Sequence, residues 1–166
     1  MKRVTKLIAL SSLLFSFAFS ATYATDCEAQ NFSNGEHYFN ASVDLTDNQI
    51  IDLVTEGIDA IYDLNVDYYK HRVMDAIYTH NSYKTGSPEG NVTSFTNAIL
   101  CEMSKLGKEI PFKKRKFYWD YTCVVLTERI NKFIDLFNYQ RGGLQNLKDP
   151  VGKHIEKQCR ANGIFG

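Results

Sequence analysis

The sequence predicts an all-α fold: a single-domain bundle of about four helices with two disulfides, preceded by an irregular N-terminal segment. Three observations support this. Apolar residues recur at steps of three and four over long stretches. Helix-capping and helix-ending patterns separate these stretches. Four cysteines follow an export signal, which favours disulfides. Ten Tyr and eleven Phe supply core material and argue against disorder.

Residues 1–24 are predicted to be a secretory signal peptide. Three basic residues precede an apolar run at Leu7–Phe19, and cleavage after Ala24 fits the small residues there, with Ser20 as the alternative. We therefore expect a secreted or periplasmic protein. The apolar run is short for a membrane span, and no other run approaches that length, so we expect no transmembrane segment in the mature chain.

Net charge gives no reason to expect a nucleic-acid partner. Removal of the signal peptide leaves sixteen basic and nineteen acidic residues, and hence a formal net charge of −3. Nucleic-acid-binding domains carry a marked basic excess. The mature length suits one domain, in which residues 25–45 form an irregular segment or small hairpin and residues 46–166 form the helical part.

The four cysteines are Cys27, Cys101, Cys123 and Cys159. An even number in an exported chain predicts two structural disulfides, for which three connectivities are possible. The favoured pairing joins Cys101 to Cys123 locally and Cys27 to Cys159 across the chain ends. Its geometry is not ideal, because a tight hairpin of the second and third helices would place residue 117 opposite Cys101.

The first predicted helix spans residues 46–79. Thr46 and Gln49 form a capping box, and Leu45 and Ile50 fit the hydrophobic staple around it. Its apolar stripe is Ile51, Val54, Ile58, Tyr62, Val66, Tyr69, Val73 and Ile77. An uninterrupted helix would be about 50 Å long, so a kink or break is expected near Asn65.

Three further helices follow. After a loop at 80–91, the second is expected at 92–106, ended by Gly107. The third begins near Pro111 and ends at Gly142–Gly143, and the fourth opens at Asp149–Pro150 and closes at Asn162–Gly163. The stripe of the third helix is Phe112, Lys116, Trp119, Cys123, Leu126, Ile130, Phe133 and Phe137. Further apolar residues around it predict a central position.

No motif for a metal, a cofactor or catalysis stands out, so we predict no cofactor, no metal site and no catalytic residue. The alternative is a small secreted hydrolase with a dispersed site, in which His71 or His154 works with a carboxylate. An acidic ribbon on the first helix would supply that carboxylate: Asp52, Glu56, Asp59, Asp63 and Asp67. A solvated face is the favoured explanation of the ribbon, and docking onto the basic third helix is a more specific one.

A basic–aromatic segment opens the third helix. It consists of Lys113, Lys114, Arg115, Lys116, Phe117 and Tyr118. Cations at a helix start oppose the macrodipole, each at a cost of about 0.3–1 kcal/mol, so helix stability does not explain them. Either they are solvated or paired within the protein, or, with the free amides, they bind an anion. Phe112 would join the aromatic fringe of such a site.

From these observations we predict an exported, non-enzymatic binding or interaction protein. Its basic–aromatic helix start would recognise an anionic ligand, a lipid headgroup or an acidic partner, with peripheral membrane contact as one form of binding.

Overall fold

A computed structural model describes residues 44–78, 86–138 and 143–165, with side chains described as far as residue 163. The predicted signal peptide, Cys27, and nearly all of the irregular segment at 25–45 lie outside these residues. The described chain contains no strand. It forms α1 (Asp47–Tyr78), α2 (Pro88–Glu109), α3 (Phe112–Asp135), a 3-10 turn (Gln145–Leu147) and α4 (Lys148–Phe165). The predicted all-α bundle of about four helices is confirmed.

Helices α2 and α3 each pack against the other three helices, so both are central to the bundle. α1 and α3 run in the same direction, since Asp47 pairs with Lys114 near the two helix starts and Asp59 pairs with Arg129 further along. α4 packs antiparallel on α3 and also contacts α2. The starts of α1 and α3 therefore lie at the same end of the bundle.

Helix α1 begins as predicted. The Thr46 amide donates to Gln49 Oε1 at 2.9 Å, and the Gln49 amide donates to Thr46 Oγ1 at 3.2 Å. Leu45 and Ile50 are buried beside this capping box. The expected break near Asn65 is wrong, because α1 is helical throughout its 32 residues. The buried Asn65 amide donates to the carbonyl of the preceding turn at 2.8 Å, which satisfies it without interrupting the helix.

Helix α2 is longer at both ends than predicted. It begins at Pro88, inside the expected loop, because Ser87 Oγ accepts a hydrogen bond from the Gly90 amide at 2.9 Å. It continues past Gly107 to Glu109. Gly107 serves packing instead of termination: a Cβ there would lie 3.0 Å from Tyr118 Cε1 and 3.2 Å from the indole of Trp119.

The bounds of α3 and α4 also differ from the predictions. α3 ends at Asp135, well before Gly142–Gly143, and a short turn follows. α4 starts at Lys148, one residue early, and continues through Asn162–Gly163. The Asn162 side chain donates to a carbonyl one turn back at 2.9 Å, so it is accommodated within the helix.

The core contains aliphatic and aromatic side chains from all four helices. The α3 stripe enters the core only from Trp119 onward, whereas Phe112 and Lys116 are exposed. Among the largest fully buried side chains are Tyr118, Phe95, Phe133, Phe137, Ile50 and Ile58. The predicted central helix is thus central along its later turns and exposed at its first turn.

The favoured disulfide pairing is wrong. Cys123 and Cys159 are both free thiols, which excludes the Cys101–Cys123 and Cys27–Cys159 bonds. Cys101 is a half-cystine with neither of them as its partner. No two cysteines among the described residues are joined, so the structure does not support two disulfides. The physical reason is packing: α4 lies against α3 and brings Cys159 to Cys123.

Candidate functional site

The start of α3 has none of the usual N-terminal stabilisers. Pro111 occupies the N-cap position, and within the described residues no side chain caps this end. The first turn contains no acidic residue. Starts of α1, α2 and α4 each carry an acidic residue in the first turn, which the helix dipole favours. The start of α3 therefore depends on contacts with other parts of the protein.

Two of those contacts come from the start of α1. Lys113 Nζ lies 3.0 Å from Asp44 Oδ1, and Lys114 Nζ lies 2.6 Å from Asp47 Oδ1. The parallel arrangement of α1 and α3 makes these pairs possible, although the residues are far apart in sequence. Both carboxylates are well exposed, so each pair contributes at most about 1 kcal/mol.

Lys116 and Arg115 are also paired. Lys116 Nζ lies 2.5 Å from Asp120 Oδ2, one turn along α3. Arg115 turns back to the end of α2, where Nε donates to the Ile110 carbonyl at 2.9 Å and Nη2 donates to the Lys108 carbonyl at 3.2 Å. A cation at the C-terminal end of a helix satisfies its last carbonyls and its dipole. Arg115 therefore stabilises the α2–α3 corner.

The three aromatic residues of this segment have different environments. Phe112 is 81% exposed, and the Arg115 guanidinium lies 5.9 Å from its ring centre. Phe117 is half-buried and stacks with Tyr121. Tyr118 is fully buried and donates to the Met103 carbonyl at 2.6 Å; burial raises its pKa. Phe112, not Tyr118, is thus the aromatic side chain most available to a ligand.

The acidic ribbon of α1 is mostly a solvated face. Four of its five carboxylates are exposed, and the fifth, Asp59, pairs with Arg129 through Nε at 2.5 Å and Nη2 at 3.2 Å. This hydrogen bond raises the pKa of Arg129. The ribbon therefore meets the middle of α3, whereas the cations at the start of α3 pair with Asp44, Asp47 and Asp120.

The two described histidines have neutral partners. His71 Nδ1 contacts the Asp67 backbone carbonyl at 2.7 Å, and His154 Nε2 contacts Asn97 Oδ1 at 2.7 Å. Burial, aided by Lys157, lowers the pKa of His154. These contacts fix the rings but supply no acid–base partner. His37 and His80 lie outside the described residues.

A second site, which sequence reasoning missed, is an open groove of about 820 Å³ between α3 and α4. Cys123 lines it from α3 and Cys159 lines it from α4. Cys123 is partly accessible, whereas Cys159 is 3% exposed. Asp120 from α3, with Glu156 and Arg160 from α4, supplies the charged groups around the sulfur atoms. The presence of cysteines was the one sequence signal for this site, because the spacing of Cys123 and Cys159 does not predict that they share a groove.

Among the described residues, no group of three or more His, Cys, Asp and Glu side chains is arranged to hold a metal ion. None of the described helices is both long and apolar enough to span a membrane.

Comparison of the chain with models of protein families, with curated proteins and with solved structures gives no significant match.

Proposed function

We propose that this chain is an exported, non-enzymatic binding protein that contacts an anionic surface through the start of α3. The observation that carries the proposal is the exposed Phe112 ring beside four cations at a helix start without a side-chain cap. Helix starts attract anions, and an aromatic side chain next to basic residues suits a membrane interface. An anionic lipid headgroup is the ligand that best uses both features.

The intramolecular pairs are compatible with this role because they are exchangeable. The Lys113 and Lys116 side chains are 66% and 80% exposed, and each contacts a single exposed carboxylate. Such pairs contribute little stability, so a multivalent anionic surface can replace the carboxylates. Arg115 differs, because its bonds to the end of α2 are structural. Lys113, Lys116 and Phe112 are thus the proposed contact residues.

The test is flotation of the processed, exported protein with vesicles that contain or lack anionic phospholipid, at low ionic strength. We expect binding to the anionic vesicles only, with loss of binding in a Lys113→Gln/Lys116→Gln variant and in Phe112→Ser. A Lys132→Gln/Lys153→Gln variant is the matched control, because it removes two exposed lysines elsewhere.

A gain-of-function variant sharpens the test. Asp44→Asn/Asp47→Asn removes the internal partners of Lys113 and Lys114 and should strengthen binding to anionic vesicles. Equal flotation by the wild type and all these variants would refute the proposal. If the protein instead bound an acidic protein, and the Lys113→Gln/Lys116→Gln variant lost that binding, the binding site would be supported but its ligand would be a protein. The hydrolase alternative gains no support from the contacts of His71 and His154.

A further inference from the structure

We propose that the α3–α4 groove is a thiol–disulfide exchange site, in which Cys123 reacts with an external disulfide and Cys159 resolves the product. The proposal is independent of the anion-binding function of the α3 start. It rests on two free cysteines, distant in sequence, that line the same groove from two helices packed against each other. It also rests on the groove, which exposes one sulfur atom to disulfides in solution and leaves the other largely covered.

The two thiols have different environments, and this difference assigns their roles. Cys123 is half-buried. Its interaction with the Cys159 thiol lowers the Cys123 pKa; burial, Glu156 and Asp120 oppose this effect, and Arg160 assists it. The Cys159 pKa is raised by the same interaction and by burial. The thiolate is the nucleophile in exchange, so Cys123 is the attacking group and Cys159 attacks second.

The exchange is balanced with a disulfide as the oxidant. The Cys123 thiolate attacks one sulfur atom of the external disulfide, forms a mixed disulfide and releases one thiolate. Cys159 then loses its proton and attacks the Cys123 sulfur, which forms the Cys123–Cys159 bond and expels the second thiolate. Two protein thiols are oxidised, and the external disulfide takes up two electrons and two protons to become two thiols.

The groove favours a peptide or small-molecule disulfide as the substrate. Its volume of about 820 Å³ is sufficient for a ligand of that size, and it is open along one side. The rim charges are Arg160, which pairs with Glu156 at 2.5 Å, and Asp120, which pairs with Lys116. Such exposed pairs are exchangeable, so the rim suits a substrate that carries both an amine and a carboxylate. Glutathione disulfide has this chemistry and is the probe.

The experiment uses the purified chain, reduced and then exposed to glutathione disulfide, quenched with acid and mapped by mass spectrometry without reduction. We expect the wild type to yield linked peptides that contain Cys123 and Cys159. Cys159→Ser should accumulate glutathione on Cys123, because the resolving thiol is absent. In Cys123→Ser, Cys159 should remain unmodified while the chain is folded. Peptides that contain Cys27 and Cys101 are assigned separately in the same maps.

A second measurement keeps the proposal testable if a variant fails to fold. In the reduced native wild type, iodoacetamide should modify Cys123 roughly tenfold faster than Cys159, since reactivity follows access and thiolate content. Failure of the wild type to form the Cys123–Cys159 bond would overturn the proposal. Equal alkylation rates of Cys123 and Cys159 would also overturn it. A third contrary result would be that glutathione attaches to Cys159 in folded Cys123→Ser as readily as it attaches to Cys123 in Cys159→Ser.

Discussion

The starts of α1 and α3 lie at the same end of the bundle but are stabilised in opposite ways. α1 begins with a reciprocal capping box and an acidic first turn, all within four residues of sequence. α3 begins at Pro111 with four cations and without a side-chain cap among the described residues. Its first turn is held by Asp44, which precedes α1, by Asp47 of α1, and by the core packing of the turns that follow.

This difference shows that one helix start is encoded locally and the other by tertiary structure. Local rules suffice for α1, because its capping atoms are supplied by its own segment. At α3 the same rules predict destabilisation, yet the helix forms because Tyr118 and Trp119 are buried against α2. The four following predictions test that distinction, in order of decreasing effect.

The largest effect is expected from Trp119→Ala. The indole is 3% exposed and packs near Gly107 of α2 and Gly163 of α4. Truncation should lower the free energy of unfolding by about 3–5 kcal/mol, because it removes a large buried side chain. Urea denaturation measures this loss. A loss below that caused by removing the α1 cap would mean that Trp119 does not anchor α3.

Gly107→Ala is expected to cost about 1–2 kcal/mol, because overpacking against Tyr118 and Trp119 outweighs the better helix propensity of alanine. Gly152→Ala is the matched control. Gly152 lies in α4 with nothing within 4 Å of a built Cβ, so alanine there should stabilise the protein by about 0.5–1 kcal/mol. Denaturant melts of the two variants should shift in opposite directions, and shifts in the same direction would contradict the packing role of Gly107.

At the helix starts themselves, Thr46→Ala should cost about 1 kcal/mol, because the Gln49 amide loses its acceptor. Lys113→Ala should change stability by less than about 0.5 kcal/mol, since it removes one exposed pair and also an unfavourable charge at a helix start. Thermal unfolding of both variants gives the comparison. A larger loss in Lys113→Ala would show that the α3 start depends on that pair.

The smallest effect concerns the link between the two starts. A double-mutant cycle of Asp47→Asn and Lys114→Gln should give a coupling energy of about 0.2–1 kcal/mol. The coupling should fall towards zero in about 1 M salt, where the Debye length is about 3 Å. Coupling that persists at high salt would indicate a pair shielded from solvent, and hence less easily exchanged for a ligand.

Much of the fold follows from the sequence because its determinants are local. The capping box at Thr46 and the apolar periodicity from Trp119 onward identify two helices and their inner faces. The start of α2 is missed because Ser87–Pro88 also suits a turn. The end of α2 is missed because Gly107 permits close packing, and the sequence alone does not distinguish such a glycine from one that ends a helix.

The candidate sites are less predictable because they depend on which helices become neighbours. The basic segment is evident from sequence, but the partners of Lys113 and Lys114 are Asp44, just before α1, and Asp47, at its start. They become evident only once α1 and α3 are known to be parallel. Cysteine pairing fails for the same reason. The favoured pairing relied on the closeness of Cys101 and Cys123 in sequence, whereas Cys123 lines the groove between α3 and α4. The local sequence pattern of a helix does not specify which other helices pack against it.

The pairing of the cations at the α3 start has a kinetic consequence. Lys113, Lys114 and Lys116 are each balanced by an aspartate, and Arg115 lies at the negative end of α2. The electrostatic potential of this end is therefore small beyond a few ångströms, and an approaching anion is not attracted from a distance. Encounter with an anionic surface should therefore be unsteered; for an acidic protein, the alternative ligand, an unsteered rate is roughly 10⁵–10⁶ M⁻¹s⁻¹. Selectivity between ligands should then come from differences in the dissociation rate of the complex.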